Sequence, residues 1–100
     1  MNEHKISEEY RTYRNTVFAI EITDTQDLIL LNSLADKIND GIIQVFQPST
    51  NTLVNAKSLI GFLSLNFNSD EVLKLIIQAN LTDKEYNELK QFKKKEGNYK

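Results

Sequence analysis

Few side chains in this sequence have the chemistry needed for a functional site, and they lie far apart. The chain contains no cysteine and a single histidine, His4, which lies among polar residues at the start. Thiolate nucleophiles, disulfides and thiolate metal sites are therefore excluded. The remaining candidates are the carboxylate of Asp27 and the hydroxyl of Ser58, next to Lys57. Each stands at the start of an apolar run, so both could act as helix caps or as functional groups.

Ser58 lies in the stretch NAKSLIGFLSL, residues 55–65. Serine is a preferred N-cap because its hydroxyl accepts a hydrogen bond from a free N–H of the first helical turn. The helix that follows is apolar on more than one side and contains Gly61. Because glycine inside a helix costs about 1 kcal/mol relative to alanine, we expect a neighbouring element, such as the first helix, to pack closely against it.

The elements that position these residues follow from periodicity and capping signals. Apolar and polar residues alternate along 17–23, as in a strand with one exposed face. The β-branched and aromatic run IIQVF, residues 42–46, is followed by a PSTN turn and the short run TLVN, which indicates a hairpin. We expect an antiparallel sheet with its helices on one face. The predicted elements are strand 17–23, helix 26–39 ended by Gly41, strands 42–46 and 52–55, and a helix from Ser58 to near Asn66.

A further strand is predicted at 71–79, with Leu73, Leu75 and Ile77 on one face. The last helix begins with a capping box of Thr82 and Glu85. Its inner face is formed by Tyr86, Leu89 and Phe92, and its final turn by the lysines at 93–95.

Length and charge limit the class of protein. One hundred residues form a single domain that buries roughly 65% of its unfolded surface. Lysine and arginine number 12 against 14 acidic residues, which indicates neither a nucleic-acid-binding surface nor a nucleic-acid partner. The first residues are too polar for a signal peptide, and no run is long enough to span a membrane. We expect a cytoplasmic protein.

The domain is predicted to occupy residues 17–95. Residues 1–16 are read as a polar N-terminal extension, frayed or loosely helical, and residues 96–100 as a tail. Within the extension, Ile6, Tyr10 and Tyr13 recur at helical spacing and would let one face dock on the body of the domain.

The stretch LVNAKSLIGFLSL, residues 53–65, resembles the regulatory-serine segment of HPr, the small phosphocarrier of the bacterial sugar phosphotransferase system. In that family a Lys-Ser pair precedes a short apolar helix that contains a glycine and closes with Ser-Leu. The predicted β-α-β-β-α-β-α order agrees with the open-faced β-sandwich of the family. The resemblance covers about residues 17–95 and implies an α+β fold with a four-stranded antiparallel sheet and three helices on one face.

The second motif of the family, Gly-x-His-x-Arg-Pro at the start of the first helix, is absent. The family's spacing puts Asp27 at the place of the phosphorylated histidine, and Ile29 and Leu30 at those of the arginine and proline. We therefore expect no phosphohistidine carrier activity. Asp27 is either a carboxylate stabilised by the helix dipole, by about 0.3 to 1 kcal/mol, or a fixed negative charge that partners recognise. Phosphorylation of Asp27 would need a metal or cations, which the nearby sequence lacks.

Ser58 keeps two compatible roles, an N-cap and, as the resemblance implies, a site for HPr kinase. A phosphate there would meet the positive end of the helix dipole beside Lys57.

The core face of the first helix is already supplied by Leu28, Leu31, Leu34 and Ile38, so at least one of Ile29 and Leu30 should be exposed. Leu59, Ile60, Phe62 and Leu63 likewise exceed what one buried stripe requires. These surplus residues either build a bulkier core, or are capped by the N-terminal extension through Ile6 and Tyr10, or form a contiguous apolar surface for a protein partner.

Three hypotheses follow. The first is an HPr-like regulatory or adaptor protein, not an enzyme and without cofactor or metal, that binds HPr kinase, a transcription regulator or a phosphotransferase component through the start of the first helix and the Ser58 helix. The second is a phosphoryl-transfer component that uses Asp27 in place of histidine. The third is a homodimerising structural module whose exposed apolar surface is the dimer interface. We expect a monomer or a weak homodimer.

Overall fold

A computed structural model describes residues 10–65 and 71–95. In these ranges the chain forms an open four-stranded antiparallel sheet and three α-helices, in the predicted order. A 3₁₀ turn, Pro48–Thr50, closes the hairpin between the second and third strands. The elements are β1 Thr12–Ile20, α1 Thr25–Asp36, β2 Gly41–Gln47, β3 Thr52–Asn55, α2 Leu59–Leu63, β4 Leu73–Leu81 and α3 Asp83–Lys90.

The sheet has the strand order β1-β4-β2-β3, so that β4 is paired on both sides. Alternate residues of β4 from Leu73 to Leu81 are buried, and they include the predicted apolar face of Leu73, Leu75 and Ile77. The same core contains Leu31 of α1, Phe62 of α2 and Leu89 of α3. Since the intervening strand residues are not part of this core, all three helices cover one face of the sheet.

The first strand begins at Thr12, five residues before the predicted start at residue 17, and ends at Ile20. Residues 12–16, assigned to the extension by their polar composition, belong to the sheet because β1 pairs with β4 from Thr12 opposite Leu81 onward. Tyr13 is therefore a strand residue and not part of a helical face. Tyr10 is exposed, and Ile6 lies outside the described residues, as does most of the predicted extension.

Charged residues of the N-terminal segment attach it to α3. Arg11 forms a salt bridge with Glu85 at 3.1 Å, and Arg14 forms one with Asp83 at 2.7 Å. The guanidinium of Arg14 also lies 4.4 Å from the ring centroid of Tyr86. Cation–π contact and pairing with carboxylates at a helix N-terminus both favour this arrangement. The polar composition of this segment reflects long-range pairing.

The helix α1 ends at Asp36, three residues earlier than predicted, with Lys37 as its C-cap. Gly41 does not cap this helix; it is the first residue of β2 and has a φ of 140°. A Cβ at this position would lie 2.3 Å from the Cα of Ala79 on β4. The glycine is thus required both by its backbone conformation and by the close approach of two strands.

The two short helices differ from prediction mainly at their ends. The helix α2 runs from Leu59 to Leu63, and Ser64 is its C-cap; Asn66, its predicted end, lies outside the described residues. The predicted capping box of α3 is present: the Glu85 N–H donates to Thr82 Oγ1, and the Thr82 N–H donates to Glu85. No helix in the described part of the chain is long and apolar enough to cross a membrane.

The lysines at 93–95 lie beyond α3, which ends at Lys90, and do not form its last turn. Lys93 forms a β-bridge with Ile20 at the end of β1. The Glu21 N–H donates to the Phe92 carbonyl, and the Lys94 N–H donates to the Ala19 carbonyl. These backbone hydrogen bonds hold the segment in an extended conformation, which ends the helix earlier than the local sequence indicates.

We predict that Gly41→Ala and Gly61→Ala differ sharply in stability. Gly41→Ala should lower the free energy of unfolding by about 3 kcal/mol or more, because strain at positive φ adds to a clash with the β4 backbone. At Gly61 the nearest atom to an added Cβ is Ser58 Oγ at 3.1 Å, and alanine favours the helix by about 1 kcal/mol. Urea denaturation of both variants measures the difference; similar losses at the two sites would contradict it.

Candidate functional site

Asp27 lies in the first turn of α1, where its carboxylate is engaged by the preceding residues. Its Oδ2 accepts hydrogen bonds from the Thr23 N–H at 2.9 Å and the Thr23 hydroxyl at 2.8 Å. Its own N–H donates to Oδ1 of the N-cap residue Asp24. The hydrogen bond from the Thr23 backbone, followed by that from the Thr23 hydroxyl, lowers the pKa of Asp27 below its ordinary value. The carboxylate therefore stays ionised and stabilises the helix start.

The surroundings of Asp27 include two cations that are distant in sequence. Asp27 lines a shallow cleft of about 250 Å³ together with Thr23, Leu30, Lys93 and Lys95. The lysines come from the segment that pairs with the end of β1. Although the sequence offers no cation near Asp27 along the chain, the fold brings two to the same cleft. This proximity depends on pairing between the lysine segment and the end of β1, which the periodicity of the sequence does not reveal.

Ile29 and Leu30, at the places of the family's arginine and proline, are both exposed, by 48% and 43%. As consecutive residues they point about 100° apart around the axis of α1. Leu30 lines the Asp27 cleft, whereas Ile29 is one turn before Asn32, which faces the α2 side of the helix. The Asn32 side chain donates to the Ala56 carbonyl at 3.0 Å. The sequence predicted that at least one of Ile29 and Leu30 would be exposed, and the structure confirms this.

Histidine is absent from the part of the chain that the structure describes, because His4 lies among residues 1–9. No group of three or more histidine, cysteine or acidic side chains in the described ranges could hold a metal ion. A second cleft, of about 280 Å³, lies between α1 and α3 and is lined by charges of both signs, among them Arg11, Lys37 and Glu85. Partial burial raises the pKa of Glu85, but hydrogen bonds from the Thr82 N–H and from Arg11 outweigh it and lower the pKa.

Ser58 is the N-cap of α2, as the sequence predicts. Its Oγ accepts a hydrogen bond from the Gly61 N–H at 3.0 Å. A Cβ on Gly61 would lie 3.1 Å from this Oγ and 3.4 Å from the Cβ of Val54 on β3. The first helix, which was expected to pack against Gly61, contributes none of these nearest atoms. The glycine instead leaves space directly beside the serine hydroxyl.

The helix α2 presents apolar side chains both inward and outward. Phe62 is fully buried in the core, whereas Leu59, Ile60 and Leu63 are exposed, and Ile60 keeps 82% of its surface accessible. With Ile29 of the neighbouring helix these three residues form what we call the α2 surface. Lys57 lies at its edge, partly exposed, and its backbone N–H donates to Asn55 Oδ1. Ser58 therefore stands between a cation and a group of apolar residues.

Asn32 is a residue of the site that sequence reasoning missed. Its hydrogen bond to the Ala56 carbonyl connects the middle of α1 to the turn that precedes Ser58 and the start of α2. The signal was a polar residue beside the buried positions Leu28, Leu31 and Ala35 on the inner face of the helix. No protein-family model, curated protein or solved structure matches this chain.

We predict a pH-dependent effect of Asp27→Asn. Since the pKa of Asp27 is lower in the folded state than in the unfolded chain, the carboxylate contributes its full stability above the unfolded value of about 3.9 and loses it as the pH falls through the folded pKa. At neutral pH the variant should lose about 1 kcal/mol of unfolding free energy. The loss should shrink as the pH falls below about 4.

The matched control is Asp36→Asn, in the last turn of the same helix. A carboxylate there opposes the negative end of the helix dipole, so this variant should be neutral or slightly more stable at pH 7. Urea titrations of both variants at several pH values provide the measurement. If the loss of unfolding free energy for Asp27→Asn did not change with pH, the ionised carboxylate of Asp27 would not be what stabilises the start of α1.

Proposed function

We propose that this chain is an HPr-like regulatory or adaptor protein of the bacterial cytoplasm that acts by binding other proteins through the α2 surface. Ser58 is its phosphorylation site, and the chain carries no phosphohistidine. The observation that supports this proposal best is the juxtaposition at α2: a capping serine hydroxyl lies beside three outward-facing apolar residues, Leu59, Ile60 and Leu63.

The apolar character of the α2 surface favours a protein partner. A helix that only covered a core would need one apolar stripe, which Phe62 and the nearby Leu65 already supply. Large apolar side chains on the opposite side gain free energy only when another surface covers them, and such residues form the centres of protein interfaces. The partners are expected among those of the phosphotransferase system: HPr kinase, a transcription regulator or a phosphotransferase component.

Phosphorylation of Ser58 would change this surface at its edge. The hydroxyl oxygen points at the Gly61 N–H, and no side chain at Gly61 competes for the space beside it. A phosphoryl group would add about −1.5 to −2 charge near a helix start and next to Lys57, where it is electrostatically favoured. Because the same group would border Leu59 and Ile60, phosphorylation would select partners that present a cation beside an apolar groove.

The first helix supports binding without relay chemistry. Asp27 holds a negative charge at the place of the family's histidine, and its Oδ2 accepts two hydrogen bonds from Thr23. Ile29 and Leu30, at the positions of arginine and proline, offer no donor to a phosphoryl group. In this proposal a partner recognises the charge of Asp27 but receives no phosphate from it.

Incubation with HPr kinase and ATP tests the proposal. The wild type and Ser64→Ala should gain one phosphoryl group by mass spectrometry, and Ser58→Ala should gain none. Ser64, the C-cap at the opposite end of α2, is the matched control. Ile60→Glu should slow labelling about tenfold or more while leaving the fold intact, because Ile60 is almost fully exposed and contributes through the contact alone. Unchanged mass of the wild type, or phosphate at another residue, would contradict the proposal.

The shared cleft of Asp27, Lys93 and Lys95 favours a second candidate, phosphoryl transfer to Asp27. The phosphorus–nitrogen bond of a donor phosphohistidine would break as a bond forms to a carboxylate oxygen, and the lysines would stabilise the transferred charge. Enzyme I with phosphoenolpyruvate should then label the wild type and Asp36→Asn but not Asp27→Asn, and the label should be lost in both acid and base. Absence of label on the wild type rules this candidate out.

A further inference from the structure

The face of the sheet that the helices leave uncovered is apolar at its centre. We call the five residues Val17, Ile42, Phe46, Leu53 and Ile76 the open sheet face. All point away from the core, because they alternate with the buried residues of their strands. Val17, Ile42 and Leu53 keep 54%, 51% and 51% of their surface exposed. They belong to a different side of the molecule from the α2 surface.

The strand register makes these side chains continuous. Val17 lies opposite Ile76, and Phe46 lies opposite Leu53. Ile42 pairs with Gln78, one position along the same face of β4 from Ile76. The residue of β2 directly opposite Ile76 is Gln44, and Ile42 and Phe46 are the diagonal neighbours of Ile76 on either side of it. Direct pairs and diagonal neighbours together therefore extend the apolar residues over all four strands. Antiparallel sheets that face water on one side normally alternate apolar residues inward with polar residues outward, and this sheet departs from that pattern at the five residues of the open sheet face.

Charge is almost missing from the same face. Of the strand residues that point this way, Lys74 alone is charged, and its row also contains Ala19, Phe46 and Leu53. The polar residues are amides, such as Asn15, Gln44 and Gln78. A partner rich in charge would lose solvation without gaining ion pairs here. A surface of the same composition, apolar with neutral amides around it, fits without that cost.

The segments outside the described ranges are too short and polar in sequence to cover this area. Residues 1–9 contain Met1 and Ile6 as large apolar residues, residues 66–70 contain Phe67, and residues 96–100 contain Tyr99. Four dispersed side chains do not match a surface that spans four strands. The composition of these segments does not match the open sheet face, which favours a second copy of the described domain as its occupant.

We propose that a second copy of this chain covers the open sheet face, forming a symmetric dimer of two stacked sheets. The four strands lie about 4.8 Å apart and have a mean length of about seven residues, at about 3.3 Å per residue. They therefore present roughly 450 Å² per copy, or about 900 Å² in total. Specific interfaces begin near ~1,000 Å², and protruding side chains add to the flat projection. The area predicts a weak dimer that forms at high protein concentration.

The placement of Lys74 agrees with a two-fold axis along the row of Val17 and Ile76. Because Lys74 and Gln78 lie equally far on either side of Ile76 along β4, this axis places Lys74 of one copy opposite Gln78 of the other. The same operation places Phe46 opposite Ile42. Like charges therefore do not meet, and aromatic and aliphatic side chains do. Stacked sheets pack with their strands nearly aligned, which is compatible with this arrangement.

Sedimentation equilibrium of the full chain over a wide range of concentration tests the proposal. The wild type should show a monomer–dimer equilibrium. Val17→Glu and Ile42→Lys, on two different strands, should each raise the dissociation constant about a hundredfold or more, because every dimer would bury two facing carboxylates in the first variant and would place lysines beside Lys74 of the other copy in the second. Two exposed sites on separate strands keep the test valid if one variant fails to fold, which circular dichroism reports.

Ile60→Glu, on the α2 surface, is the matched control and should leave the dissociation constant unchanged. A wild type that remains monomeric at the highest concentration overturns the proposal. So does a dimer that Ile60→Glu disrupts and Val17→Glu does not, since that dimer would use the helices. Labelling of Ser58 by HPr kinase does not involve the open sheet face, so Val17→Glu should not affect it, and the two proposals fail independently.

Discussion

The double pairing of β4 is the constraint on which the rest of the structure depends. This strand forms antiparallel ladders with β1 on one side and β2 on the other, and its inward side chains are buried without exception. Because strand side chains alternate, fixing these residues in the core fixes which face of every neighbouring strand meets the helices. Gly41 lets β2 approach Ala79 closely enough to complete the pairing. The helices then have a single apolar surface against which to pack.

Each of the three helices begins with a polar side chain that caps it. Asp24, Ser58 and Thr82 each satisfy a backbone N–H of the helix they precede. Capping and function are compatible, because a group that already faces a helix start also tolerates negative charge. The structure thus explains why a serine and a carboxylate stand where they do, since each lies at the start of a helix.

Features with local signals were predictable from the sequence, and features that depend on distant residues were not. The alternation of Leu73, Leu75 and Ile77, the cap at Ser58 and the capping box of α3 each need only a few neighbouring residues, and all are present. The start of β1 was missed because its polar residues find partners on β4 and α3. The lysines near Asp27 were missed for the same reason, since a β-bridge to Ile20 brings them there.

The lysine segment that follows α3 also protects an edge of the sheet. An unpaired edge strand offers its N–H and C=O groups to any extended chain, which is a route to filaments. Here the Phe92 carbonyl and the Lys94 N–H form hydrogen bonds with backbone groups at the end of β1. The side chains of Lys93, Lys94 and Lys95 in the same segment are exposed. A further strand that tried to add at this end of β1 would have to displace that pairing and overcome charge repulsion or desolvation. The three consecutive lysines therefore disfavour the addition of a further strand at this end of β1.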